Sequence, residues 1–228
     1  MMEPRTLGYV EESCNGRLVA GERSASVRRV CTDSRLAKPG DLFVAIRGDR
    51  FDGHDYLGEA LGQGAEAAVV RQSRLSQAEA AGPTIEVEET REALGQLAAR
   101  YRRDFELPVV AVGGSNGKTG TKEILATVLG QRLKTLSSEA SFNNDIGVPL
   151  TLLRLREAHE AAVLEVGSNH PGELQPLLQL IQPKYGVLTS IGREHLEFFE
   201  DLDGVIKEEG VLAEALPPDG CLFVNGDI

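Results

Sequence analysis

Between residues 108 and 129 the sequence passes from a continuous apolar run, PVVAV (108–112), through a glycine-rich turn, GGSNGKT (113–119), into a stretch of helix formers. This succession constrains the fold more than any other feature. An apolar run without alternation reads as a strand buried on both faces, the habit of parallel sheets. A glycine-rich turn between such a strand and a helix is the context a phosphate cradle requires. Its glycines let backbone N–H groups turn inward, and the helix N-terminus adds partial positive charge. A Lys can then reach the β- and γ-phosphates, and a Thr hydroxyl can ligate a metal ion. Gly114, Ser115, Asn116, Gly117, Lys118, Thr119 and Gly120 are the candidate residues. The spacing is not the common GxxxxGK followed by Ser or Thr, which wants Gly where Val112 stands. Here the gap is shorter, Gly114-x-x-Gly117-Lys118-Thr119. The bland alternative is a turn whose Lys is merely solvated. The position of GKT on its two elements weighs against it.

The rest of the chain falls into two styles. After 108, apolar runs at 161–166 (AAVLEV) and 185–189 (YGVLT) are each followed by a helical stretch, near 172–181 and 202–216, and CLFV (221–224) reads as one more strand. Alternation of strand and helix argues for a parallel α/β sheet, of three or four strands here. Before 108 the runs are shorter and broken by turns. Residues 26–31, 41–46, 67–70 and 84–87 read as strands, with Lys38-Pro39-Gly40 as a turn and 56–63 as a short helix. Residues 90–105 carry apolar side chains at 94, 97, 98 and 101, the spacing of an amphipathic helix, with Thr90 as its N-cap. The expected fold class is α/β: a small α/β domain, 1–107, followed by a parallel-sheet P-loop domain, 108–228, with the boundary near 105–108.

Charge and cysteine usage narrow the function classes. The chain has 24 Lys and Arg against 35 Asp and Glu, a net charge of −11, which argues against coating nucleic acid or an anionic membrane. A local phosphate site needs only a few N–H groups and one Lys. Cys14, Cys31 and Cys221 lie far apart with no CxxC, so neither a disulfide scaffold nor a Cys-based zinc site is expected. No signal peptide is read at the N-terminus and no run approaches the ~20 apolar residues that cross a bilayer. The expectation is a cytoplasmic protein without membrane insertion.

Polar residues outside the loop supply further candidates. Glu165 closes a buried strand, and ligands of open α/β sheets bind beyond the carboxyl ends of the strands. A carboxylate there is a candidate metal ligand, or an ordinary strand-end Glu. Asp33-Ser34-Arg35 offers a carboxylate, a hydroxyl and a guanidinium in one turn, suited to a diphosphate and a polar base or sugar. The loop 48–54, with Gly48, Phe51, Asp52 and His54, lies beside it. Asp33 and Asp52 could equally cap turns, and Asn143 and Asn144 could cap the helix they precede.

Four stretches in order resemble the Mur ligase family. They are GSNGKT (114–119); Thr32-Asp33-Ser34-Arg35 with KPGDLFVAIRGDRFDGHDY (38–56); FNNDIGVPL (142–150); and EVGSNHPGE (165–173). The resemblance implies a UDP-sugar-binding N-terminal domain and a central ATPase domain with ATP and Mg²⁺ as cofactors. It implies formation of an amide bond in a peptidoglycan precursor, with UDP-N-acetylmuramoyl-tripeptide and D-Ala-D-Ala as substrates. It assigns Lys118, Glu165 and His195 to catalysis, and Thr119, Glu165 and His195 to metal. Asp33, Ser34, Arg35, Gly48, Phe51, Asp52, His54, Asn143 and Asn144 fall to the substrate.

Two departures stand out. Gly113 takes a place where the family often has Thr. Glu209 stands where the family carries a carbamylated Lys that binds a second magnesium. Val205, Leu212 and Leu216 share the face of Glu209, so its side chain is expected inward, while Lys207 shares a side with Asp203 and Glu214. Glu209 is therefore the expected second-metal carboxylate. Family members are about twice this length with a third domain, so the chain is expected to be the front part of a longer protein. It is expected to be monomeric and not competent as a ligase alone. The alternatives are another Mur-type ligase and a non-catalytic UDP-precursor-binding fragment.

Overall fold

The computed structural model describes residues 1–75, 82–192 and 196–226. They form two compact units, residues 1–101 and 102–228.

The first unit opens with β1 (Arg5–Thr6) and α1 (Leu7–Ser13), followed by β2 (Arg17–Ala20), β3 (Ser26–Val27), β4 (Arg29–Cys31) and β5 (Asp41–Val44). Then come α2 (Leu57–Gly62), β6 (Ala67–Arg71), β7 (Thr84–Val87) and α3 (Thr90–Arg102). Strands β4, β5, β6 and β7 are parallel, and β2 joins the β7 edge antiparallel, giving the order β2-β7-β6-β5-β4. The apolar runs of β5 and β6 are buried along nearly their whole length, as two-sided coverage demands. Phe43, Ala45, Leu57, Ala60, Ala68 and Val70 make one core cluster. Helix α3 turns Leu94, Leu97, Ala98 and Tyr101 inward, the face its periodicity marked. Glu86 on β7 is nearly buried, and Arg17 on β2 meets its carboxylate at 2.5 Å.

Two expectations are corrected here. Residues 26–31 are not one strand. Ser26–Val27 pairs antiparallel with β1, whereas Arg29–Cys31 pairs parallel with β5, and the two partners pull the chain into separate ladders at Arg28. Thr90 is the first helical residue rather than the cap, because the Ala93 N–H already bonds back to the Glu89 carbonyl at 2.9 Å.

The second unit contains β8 (Val109–Gly113), α4 (Lys118–Leu129), β9 (Thr135–Ser137), α5 (Gly147–Leu152) and β10 (Ala161–Glu165). After them come α6 (Leu174–Ile181), β11 (Tyr185–Leu188), α7 (Leu196–Phe199), α8 (Leu202–Glu214) and β12 (Cys221–Val224). All five strands are parallel, in the order β12-β11-β8-β10-β9. The three-residue edge strand β9 was not expected. It is too short and too polar to show an apolar run. In the register, Glu165 lies opposite Val112 and Leu188 opposite Gly113. The carboxyl ends of β8, β10 and β11 therefore finish level, with β8 in the middle. The chain runs from β8 toward one edge and later returns to the other, which makes the end of β8 the switch point where α/β sheets bind ligands. Arg102 begins this unit, donating to the carbonyls of Ile181 (3.1 Å), Phe105 (2.7 Å) and Leu107 (3.3 Å). No described helix is long and apolar enough to cross a membrane.

Candidate active site

The glycine-rich turn sits at the carboxyl end of β8 and leads into α4, with Gly117 at the helix cap position. Its shape is held by the segment after β11. The Ser115 N–H donates to the Ser190 carbonyl (2.9 Å) and the Asn116 N–H to Ser190 Oγ (2.9 Å). Thr189 Oγ1 donates to the carbonyls of Gly113 (3.0 Å) and Asn116 (2.7 Å). Gly114 has φ +112°, and a Cβ built on it would lie 2.5 Å from Thr189 Oγ1 and 2.7 Å from the Ser190 carbonyl oxygen. No side chain fits there, so glycine is required both by conformation and by space. Thr189 and Ser190 carried no motif in the sequence. Only their place just after a buried strand could have flagged them.

Lys118 Nζ donates back to the carbonyls of Gly114 (2.5 Å) and Ser115 (3.1 Å), which holds its charge over the loop. Thr119 Oγ1 donates to Glu165 Oε2 at 2.8 Å, and Asn143 Nδ2 donates to Glu165 Oε1 at 2.9 Å. Glu165 is buried, with 1% exposure, and its own N–H donates to Ser138 Oγ at 3.1 Å. A buried carboxylate needs such partners to remain in place. The predicted residues Lys118, Thr119, Glu165 and Asn143 are thus brought together. Asn144 lies beside them but caps α5, accepting from the Ile146 (3.2 Å) and Gly147 (2.9 Å) N–H groups. The segment carrying Asn143 is itself latched to α4. Lys122, fully buried, donates to the carbonyls of Ser138 and Ala140, both at 3.0 Å, and to Glu123 at 2.5 Å.

Glu209 on α8 points inward as its helical face required, with 3% exposure, and Lys207 is exposed. Its Oε2 accepts the Gly114 N–H at 2.7 Å. Glu208 is also buried and accepts from Gly172 (2.7 Å) and Leu174 (2.8 Å), closing the start of α6. His195 lies outside the described residues. Among the described residues no group of three or more His, Cys, Asp and Glu side chains is arranged to hold a metal. The hydroxyl of Thr119 and the carboxylate of Glu165 are hard oxygen donors side by side at the loop. They suit Mg²⁺, which takes one or two carboxylates and completes its shell with phosphate and water.

In the first unit, two clefts of about 400 Å³ each share Phe51, which is 69% exposed. One is lined by Thr32, Asp33, Ser34, Arg35, Ile46 and Tyr56, the other by Arg47, Gly48, Arg50, Arg71 and Arg74 among others. Asp33 caps a short turn and pairs with Arg35 at 2.6 Å, while Ser34 Oγ donates to Glu59 at 2.7 Å. Asp52 accepts from the His54 backbone (3.0 Å), the His54 ring (2.6 Å) and Arg74 (2.9 Å). Burial raises the Asp52 pKa, but these bonds outweigh it and bring the carboxyl down to about 2. His54, 4% exposed, accepts the Arg71 N–H on Nε2 at 3.0 Å. Asp52 and His54 therefore build the loop, and Gly48 and Phe51 present its surface.

Two family models match the chain, one described as the Mur ligase middle domain, over residues 112–228, and one as the Mur ligase family catalytic domain, over residues 26–102. The chain belongs to the Mur ligase family. Members of the Mur ligase family are ATP-dependent ligases. The chain is 40% identical over 222 residues to the UDP-N-acetylmuramoyl-tripeptide–D-alanyl-D-alanine ligase of Escherichia coli strain K12, covering 97% of this chain and 48% of that protein. It is 39% identical to the ligase of the same name from Haemophilus influenzae, covering 91% and 46%. The crystal structure of MurF from Acinetobacter baumannii superposes with a TM-score of 0.91 at 35% identity, over 98% of this chain and 49% of that one. MurF from Thermotoga maritima, solved in complex with ADP, gives 0.77 at 32% identity, over 88% and 46%. The chain spans about half the length of these Mur ligase relatives.

Proposed function

We propose that this chain carries the UDP-precursor-binding and ATP-binding units of a cytoplasmic ligase that joins D-Ala-D-Ala to a UDP-N-acetylmuramoyl-tripeptide. The observation that carries the reading is the set Lys118, Thr119, Glu165 and Asn143 gathered at the switch point of a parallel sheet. Relatives named for this ligation match nearly the whole chain.

The chemical problem is that a carboxylate is a poor acyl donor until one oxygen becomes a leaving group. Transfer of the γ-phosphoryl group of ATP to the terminal carboxylate of the tripeptide gives an acyl phosphate. The amine of D-Ala-D-Ala then attacks the acyl carbon, and the tetrahedral intermediate expels phosphate. Phosphoryl transfer of this kind depends on alignment and charge neutralisation rather than on covalent help from the protein. The ammonium of Lys118 moves from the loop carbonyls to the β- and γ-phosphates, and the N–H groups at the start of α4 face the same anion. Thr119 and Glu165 would hold Mg²⁺, which when bound neutralises phosphate charge. Asn143 keeps the Glu165 carboxylate oriented, and Asn144 fixes the helix start beside it. In the first unit, the cleft with Ser34, Arg35 and Phe51 takes the uridine diphosphate end.

The test is calorimetric binding of UDP-N-acetylmuramoyl-tripeptide to the 228-residue chain, with UMP as control. Binding that requires the sugar-peptide is the expected result. A folded sample that binds neither ligand would overturn the substrate half of the reading.

A further inference from the structure

We propose that Glu209 is a positioning residue of the phosphate loop, and that Gly113 is glycine to make room for it. Three observations meet at one carboxylate. Glu209 is almost fully buried on α8, its Oε2 accepts the Gly114 N–H at 2.7 Å, and a Cβ built on Gly113 would lie 3.0 Å from that same oxygen. Gly114 is the residue at which the loop turns, with φ +112°. A buried N–H at such a turn must be paired, and a charged acceptor pairs it more strongly than a carbonyl would. The carboxylate therefore fixes the first peptide of the loop from outside the loop. Its neighbour Glu208 treats the start of α6 in the same way, accepting from Gly172 and Leu174. Helix α8 thus ties together the backbone after β8 and the backbone after β10, the two sides of the site. The charge strengthens this bond, but the role needs first of all an acceptor oxygen at that place. An amide oxygen in the same place accepts the same N–H, whereas a metal ligand would need the carboxylate.

The geometry stands independently of the nucleotide-site reading, and only the effect on ADP rests on it. The experiment uses the full 228-residue chain as wild type, Glu209→Gln, Glu209→Ala and Gly113→Ala. It measures amide exchange at Gly114 by NMR and ADP affinity by calorimetry, with Mg²⁺ and with EDTA. Loss of a charge-assisted bond should speed Gly114 exchange and weaken ADP about tenfold or more in Glu209→Ala, with and without Mg²⁺. Glu209→Gln should keep both within about threefold, because the acceptor survives. Gly113→Ala keeps the Glu209 side chain but pushes its carboxylate away from the Gly114 N–H, so it should speed exchange without any substitution at residue 209. It decides the question should Glu209→Ala fail to fold. A fifth chain carrying both Gly113→Ala and Glu209→Ala should lose no more than Glu209→Ala alone. Unchanged Gly114 exchange in Glu209→Ala or Gly113→Ala would overturn the proposal. So would a Glu209→Gln chain that loses ADP as fully as Glu209→Ala and only with Mg²⁺, which is the signature of a metal ligand. A wild-type chain that ignores ADP would instead overturn the nucleotide reading, and the exchange data would still decide the role of Glu209.

Discussion

Replacing Lys122 with Met removes one ammonium and little else. The side chain is fully buried on α4, and Met fills most of the same volume, so the cavity contribution is small. What is lost is the pairing of two carbonyls, Ser138 and Ala140, each 3.0 Å from Nζ. A hydrogen bond to a charged group contributes about 1.5–3 kcal/mol, and an acceptor left buried and unpaired costs about 1–3 kcal/mol. Against this, the variant no longer has to bury a charge, which offsets part of the loss. The third contact, Glu123, is 58% exposed on its side chain and adds little. The net expectation is a destabilisation of about 3 kcal/mol, or roughly 10 °C in melting temperature for a unit of this size. The chain has no Trp, so urea unfolding is followed by far-UV circular dichroism. Lys122→Ala should lose more than Lys122→Met, because it adds a cavity. Lys122→Met with stability within about 0.5 kcal/mol of wild type would show that the buried ammonium adds nothing through its bonds to the buried Ser138 carbonyl and the part-buried Ala140 carbonyl.

Two further outcomes are expected. The pKa of Asp52 is lowered to about 2, so its contribution is fully present above about pH 4 and is lost as pH falls through about 2. Asp52→Asn should therefore flatten the acid end of the stability curve of the first unit between about pH 4 and 2, and an unchanged curve would contradict the pairing with His54 and Arg74. Cys14 is buried and its thiol is pushed up to about 12, and burial raises that of Cys31 as well, whereas Cys221 is exposed. A thiol reagent at pH 8 should modify the native chain rapidly at Cys221 alone, and rapid labelling of Cys14 would contradict the packing of the first unit.

What could be read from the sequence follows the strength of local signals. The strands 109–113, 161–165 and 185–188 are continuous apolar runs, and α3 and α8 carry helical periodicity, so all were visible in advance. The inward face of Glu209 followed from Val205 and Leu212 on the same helix. The short elements β1, α1 and β9 were not visible, because two or three residues cannot display a period and α1 mixes apolar and acidic residues within seven. The division of 26–31 between two ladders depends on partners distant in the chain, which no local pattern encodes. At the candidate site, residues with chemical side chains were named from spacing and resemblance. The residues that hold them in place were not: Thr189 and Ser190 brace the loop, Lys122 latches the segment before Asn143, and Glu208 closes α6. Each acts through a backbone group of another element, and such contacts exist only once the sheet has been assembled.

The proposed magnesium–nucleotide site in the second unit consists of the turn 113–119 with Thr119 and Glu165. The most direct test is a calorimetric titration of ADP into the 228-residue chain, once with Mg²⁺ and once with EDTA, beside Glu165→Gln. One-to-one binding that weakens on chelation is expected, together with a Glu165→Gln chain in which Mg²⁺ no longer makes a difference. A folded chain that gives no binding, or the same affinity with and without Mg²⁺, would contradict it.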